Sequence, residues 1–254
     1  MIKVLTYNVH RWVGLDRRTS PERAAAVIAA SGARIVALQE VKAGKARMGW
    51  QNRAEAVARS LGMTLHFQPT ARIFGEQLGL AIMTDLPSRR IKGERLPSVS
   101  VDGGISKRSA LWIEVDYEGL KIQVINTHLS LRPNERLMQA QTLLGEEWLG
   151  HEKCANPVIF MGDFNASPNS RSYRLITESF GDAQLMSRSA LARPTFHARM
   201  PLVRLDHIFL RGEMMRVTKA RPVHSVLTRS ASDHLPLLAH IAFNRSIKAG
   251  KREA

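Results

Sequence analysis

Apolar residues along this chain fall into short runs, and between them lie turn residues and stretches with helical spacing. Residues 2–8 read as a strand, and Ser20-Pro21-Glu22 then opens a helix that Gly32 closes. The run 34–38 is a buried strand ending at Gln39-Glu40, and the spacing over 51–61 predicts a second helix stopped by Gly62. Strands follow at 64–67, 78–84, 109–117 and 120–127, the last two joined by a tight turn at Gly119. A long helix over 133–149 precedes strands at 158–161, 205–210, 217–224 and 235–243. Many strands, few helices and central hairpins imply an α/β protein with mixed sheets. No repeat or long flexible linker interrupts the pattern, so one domain over 1–244 is expected, with a basic, flexible tail at 245–254.

Composition narrows the class. With 44% apolar and 23% charged residues, the chain buries a sizeable core. The lone Cys154 excludes an internal disulfide and points to a reducing, cytoplasmic setting. No apolar run approaches the roughly 20 residues a membrane span requires, and the N-terminus reads as a strand rather than a signal peptide. The net charge of +15 favours a polyanionic partner: nucleic acid first, an anionic lipid headgroup second. A monomer is expected.

The candidate chemistry lies where polar residues interrupt apolar strands, because a carboxylate or carboxamide buried at a strand end is costly unless it is paired or binds a metal. Asn8 ends the first strand and Glu40 the second; Asn126 and His128 close the strand at 120–127; Asp163 and Asn165 follow Phe160-Met161-Gly162; Asp206 opens the strand after Arg204-Leu205; and Asp233-His234 precede Leu235-Pro236. Singly, each has an ordinary reading as a strand cap or Asx turn. Strand ends on one edge of a sheet converge, however, and six interruptions together build one site.

In order, Thr6-Tyr7-Asn8-Val9, Leu38-Gln39-Glu40-Val41, Asn126-Thr127-His128-Leu129, Gly162-Asp163-Phe164-Asn165, Arg204-Leu205-Asp206-His207-Ile208 and Ser232-Asp233-His234-Leu235-Pro236 resemble the motifs of the endonuclease/exonuclease/phosphatase (deoxyribonuclease I-like) superfamily. The resemblance covers residues 4 to about 240. It implies a four-layer α/β/β/α sandwich of two mixed sheets and a phosphoesterase that uses Mg²⁺ or Mn²⁺. By the same resemblance Glu40 is the principal metal ligand with Asn8 beside it, and Asp233 belongs to a second metal position or to the network around His234. Asp163 and Asn165 handle the attacking water, Asp206 holds His234 against the phosphate, and His128 lies alongside. Arg108 and Asn126 are the expected phosphate contacts, and Glu76 is the expected carboxylate supporting His128.

One departure stands out: exonuclease III-like members carry an aspartate two residues after the first asparagine, where this chain has His10 followed by Arg11-Trp12. The segment 193–204 is also short for a pocket around an extrahelical sugar, which argues against abasic-site repair. The substrate readings are a nuclease acting on DNA or RNA, a sphingomyelinase-like or phosphoinositide phosphodiesterase, and a non-catalytic binding module; the intact polar set disfavours the last.

Overall fold

In the computed structural model, which describes residues 1–44, 52–99, 107–187 and 191–244, the chain forms two six-stranded sheets. The first holds β1 (Ile2–Asn8), β2 (Ile35–Gly44), β3 (Thr64–Ile73), β4 (Glu76–Thr84), β11 (Met215–Pro222) and β12 (Leu237–Phe243), in the order β11-β12-β1-β2-β4-β3. The second holds β5 (Ser88–Arg95), β6 (Ser109–Tyr117), β7 (Leu120–His128), β8 (Val158–Asp163), β9 (Gly181–Asp182) and β10 (Asp206–Arg211), in the order β5-β6-β7-β8-β10-β9. β1 pairs parallel with β2 and β7 with β8, while their other neighbours run antiparallel.

Alternation along each strand accounts for the layering. Val4, Ile35, Ala37 and Ile82 meet Leu111, Ile113, Val124 and Ile159 between the sheets. The intervening Leu5, Tyr7, Val36 and Leu38 face outward onto α1 (Pro21–Ser31) and α2 (Arg53–Ser60). On the opposite side Trp112, Ile125 and Phe160 pack on α3 (Pro133–Leu144) and α4 (Arg171–Thr177). Strands covered on both faces lose the polar alternation of a half-exposed strand and read as continuous apolar runs.

Local signals set several boundaries. The Ser20 hydroxyl accepts from the Arg23 amide at the start of α1, and Gly32 ends the helix at φ +63°. Asn52 caps α2, which begins later than expected; Gln51, placed in that helix by its spacing, lies outside the described residues, as does the tail 245–254. The long helix stops at Leu144 rather than 149, where Gly145 turns extended. β5 and α4 escaped the hydropathy pattern. β5, an edge strand reading SRRIKGER, has Ile91 as its one large apolar residue, and α4 is only seven residues long. The short elements β9, α5 (Ala183–Met186) and α6 (Val226–Ala231) were likewise unforeseen. β2 does not end at Glu40. It runs on to Gly44 through a bulge, with Leu38 opposite Ala81 but Val41 opposite Gly79, so that one extra residue stands on β2.

Candidate active site

The topology brings the polar strand ends together. β1, β7 and β8 end, β10 begins, and β2 passes through its bulge, at one end of the sandwich: Asn8 is level with Gln39, His128 with Asp163, and Asp163 with Asp206. The bulge re-aims Glu40, which adopts φ +53°, a left-handed conformation uncommon outside glycine. Its carboxylate accepts no hydrogen bond among the described residues, and Arg11 Nε lies 3.7 Å away.

Asp163 is the hub. One carboxylate oxygen accepts from the Asn165 amide at 3.0 Å, and the other from Asn8 Nδ2 at 2.9 Å. That second oxygen also lies 3.5 Å from His128 Nε2 and 3.7 Å from His234 Nε2. His234 Nδ1 is 2.9 Å from Asp206 Oδ2. Burial disfavours the charged ring, but Asp206 and Asp163, with the Asp206 hydrogen bond, outweigh it and push His234 up to about 10. The imidazole is therefore a cation at neutral pH. Ser232 ties the loop in place: its hydroxyl donates to the Asn8 carbonyl at 2.7 Å and accepts from the His234 amide at 3.3 Å.

His128 is opposite in character. Burial, reinforced by Arg108 and His234 and only partly opposed by Asp163, brings it down to about 3, so the ring is neutral. Asn165 Nδ2 lies 3.0 Å from its Nε2 and Arg108 Nη1 lies 3.2 Å from its Nδ1. A neutral imidazole has one lone pair for these two donors, so it accepts from one at a time.

Two expected roles are overturned. Asn126 does not present its amide to a phosphate: it is fully buried, donates to the Leu38 and Ala81 carbonyls at 2.9 Å each, and accepts from Gln39 Nε2 at 2.8 Å. Both of its amide hydrogens tie β7 to the opposite sheet. Glu76 does not support His128 either; it pairs with Lys42 and, at 3.3 Å, with Arg53. Arg108 takes the neighbouring place, with Nη1 at the ring and Nε buried without a hydrogen-bond partner among the described residues. Asp233 lies beside the site, with Oδ1 3.8 Å from His10 Nδ1.

Several contributors escaped the sequence reading. His10, Arg11 and Trp12 form a left-handed turn with φ of +43°, +57° and +66°, held by the buried Trp12 ring, whose Nε1 donates to the Lys42 carbonyl at 2.8 Å. This conformation is uncommon for bulky residues and clusters at functional sites. Its polarity is visible in the sequence; its conformation is not. Thr195 is fully buried and accepts from the Asp206 amide at 3.3 Å, with no sequence signal to mark it. A cavity of about 240 Å³ opens beside these groups, lined by Arg11, Glu40, Lys107, Arg108 and His128 together with the apolar Ile73, Leu78 and Leu131.

Two places suit a metal differently. Asp163, Asp206 and His234 hold three ligand-capable atoms within 4.8 Å of one another. There His234 Nδ1 and Asp206 Oδ2 already engage each other at 2.9 Å, so that pair is satisfied by its own hydrogen bond. Among the described residues Glu40 offers a carboxylate without hydrogen-bond donors, one position beyond Asn8's partner Gln39, and the Asn8 carboxamide oxygen accepts only from the His10 amide at 3.0 Å. Oxygen donors with spare lone pairs fit a hard divalent cation.

A family model described as the endonuclease/exonuclease/phosphatase family matches residues 5–234. The YbhP protein of Escherichia coli K12 is 31% identical over 252 residues, spanning 94% of this chain and 95% of that protein. An endonuclease/exonuclease/phosphatase from Beutenbergia cavernae superposes with a TM-score of 0.79 at 23% identity, covering 96% of this chain and 72% of that one. A mannosyl-6-phosphatase from Bacteroides thetaiotaomicron superposes with a TM-score of 0.71 at 20% identity, covering 96% of this chain and all of that one.

Proposed function

From the premise that this chain belongs to the endonuclease/exonuclease/phosphatase family, whose members are metal-dependent phosphoester hydrolases, we propose that it is a phosphodiesterase acting on a nucleic acid strand. The observation that carries the chemistry is the Asp163 carboxylate flanked by Asn8, neutral His128 and the charged His234–Asp206 pair. In this reading Asp163 orients the attacking water and takes its proton, with Asn165 and His128 confining that water. The His234 imidazolium, held charged and oriented by Asp206, neutralises the oxygens of the pentacovalent transition state. Arg108 and Arg11 face the same cavity and supply guanidinium donors for the phosphate. Mg²⁺, held by Glu40 and the Asn8 oxygen, would polarise the phosphate.

The choice of a nucleic acid rests on the +15 net charge. A second reading, an anionic phospholipid headgroup, is favoured by apolar side chains around the mouth. Phe74, next to the lining residue Ile73 at the tip of the β3–β4 hairpin, is 92% exposed, and the lining residue Leu131 is 70% exposed. The fold's use by a mannosyl-6-phosphatase warns that substrate choice lies in the rim and not in the sandwich.

Supercoiled plasmid incubated with Mg²⁺ or Mn²⁺ tests the proposal, alongside EDTA, Glu40→Ala and His234→Ala controls. Nicking lost in all three controls supports a nuclease. Cleavage of bis-p-nitrophenyl phosphate with intact plasmid removes the nuclease reading, keeps the chemistry and turns attention to lipid headgroups.

A further inference from the structure

Away from the active site, the outer face of β11 and β12 carries a groove of about 680 Å³. Arg193, Lys219, Arg221, His224 and His240 contribute to its lining, and no acidic side chain does among the described residues. In the strand register Lys3, His240 and Lys219 stand side by side on β1, β12 and β11, so the two lysines flank one histidine across about 10 Å of sheet. Like charges placed close together across strands are destabilising, and neither Lys219, Arg221 nor Arg193 has a carboxylate within ion-pair distance among the described residues. Some surface cations elsewhere do have carboxylate partners: Arg23 with Asp16, Arg34 with Asp85, Arg89 with Glu114 and Lys121 with Asp116. The two histidines register the unmatched field. Burial first, then Arg193, Arg229 and Arg221, hold His224 below the ordinary histidine range. Burial, then Lys3, Lys219 and Arg221, do the same to His240.

We infer that this groove is a second anion-binding site, distinct from the catalytic end, that holds the phosphodiester backbone of a nucleic acid strand. Its shape favours a strand over a bilayer, because the cations line a recess between the end of α1 and residues 191–193 and cannot press flat on a membrane. Its position suits a substrate longer than the active site. The Val223 amide at the groove donates to the Pro236 carbonyl at 2.8 Å, two residues beyond His234, so the groove leads toward the catalytic end. A strand engaged at His234 would continue along it. The inference rests on the nucleic-acid reading for its occupant, but it requires no turnover.

The test measures binding in EDTA, by fluorescence anisotropy of a labelled single-stranded oligodeoxynucleotide, for the wild type and for a triple variant carrying Arg193→Gln, Lys219→Gln and Arg221→Gln. The triple variant is expected to bind at least about tenfold more weakly, and its plot of log affinity against log salt is expected to be shallower by about 2, from roughly 0.7 per phosphate contact on a single strand. Hydrolysis of bis-p-nitrophenyl phosphate, too small to span the groove, is expected to be unchanged, and the melting temperature equal or higher because like-charge repulsion is relieved. Wild-type affinity and salt slope in the triple variant would overturn the inference. So would loss confined to phosphatidylglycerol vesicles with oligonucleotide binding intact, which would make the surface a membrane site. If the triple variant does not fold, Lys219→Gln and Arg221→Gln separately decide by the same slope. Groove-dependent binding without metal-dependent cleavage removes the nuclease reading and keeps the groove; cleavage with a normal salt slope in the variants does the reverse.

Discussion

Asp163 and Asp206 are direct partners in the antiparallel register of β8 and β10, and the imidazole of His234 lies between them, 2.9 Å from Asp206 and 3.7 Å from Asp163. Two buried carboxylates at adjacent strand ends repel each other, and the cationic ring between them offsets that repulsion. The same arrangement holds a positive charge where a phosphoryl group would gain negative charge.

Removing that charge is expected to abolish most turnover. His234→Ala should lower kcat on bis-p-nitrophenyl phosphate by about 100- to 10,000-fold. Asp206→Asn should fall in the same range, because it removes the charge that keeps the ring protonated. Steady-state kinetics beside thermal melting separates loss of chemistry from loss of fold. Near wild-type kcat in a folded Asp206→Asn protein would remove the pair from the mechanism.

Glu40→Gln keeps the shape of the bulge and removes one negative charge from the proposed metal position. The concentration of Mg²⁺ or Mn²⁺ giving half-maximal activity should rise at least about tenfold. Calorimetric titration of the metal into the substrate-free protein gives the same comparison without catalysis. Unchanged metal affinity would move the metal toward Asp163 and Asp206.

Asn126 separates a structural role from a phosphate contact. Asn126→Ala leaves the Leu38 and Ala81 carbonyls and the Gln39 amide without their buried partner. The expected loss is about 2–3 kcal/mol of stability, read by urea denaturation, with KM and kcat of the folded enzyme unchanged. A raised KM with normal stability would restore the phosphate role.

Asp182 is expected to contribute to stability on the acid side. Burial raises its carboxyl, but His207, Arg204 and the Tyr173 hydroxyl outweigh burial and hold it well below the usual carboxylate range. A depressed carboxyl stabilises the fold above its unfolded value of about 4 and loses that contribution as pH falls below it. Asp182→Asn should cost about 3 kcal/mol near neutrality, since it leaves the largely covered Arg204 guanidinium beside a neutral partner. Melting temperatures across the acid range should accordingly fall less steeply for the variant. Parallel acid limbs for the two proteins would show that another group controls acid unfolding.

The order and spacing of the polar interruptions, from Asn8 to His234, mark both the family and the residues that meet at one end of the sandwich. Those signals are local: an apolar run ending in a carboxamide, carboxylate or histidine reads the same before and after folding. Which interruption faces the site and which faces the other sheet was decided only by tertiary structure. Asn126 lies two residues before His128 on the same strand, yet its amide is used up by backbone carbonyls of the opposing sheet. Glu76, close to the site in the fold, is taken by Lys42 and Arg53, whose approach depends on strand pairing and helix placement. The left-handed conformations of Glu40 and of His10 to Trp12 follow from a bulge and from Trp12 anchored on Lys42, both long-range contacts. Composition supplied a net charge; only the register of β1, β12 and β11 gathered part of it into one unmatched row.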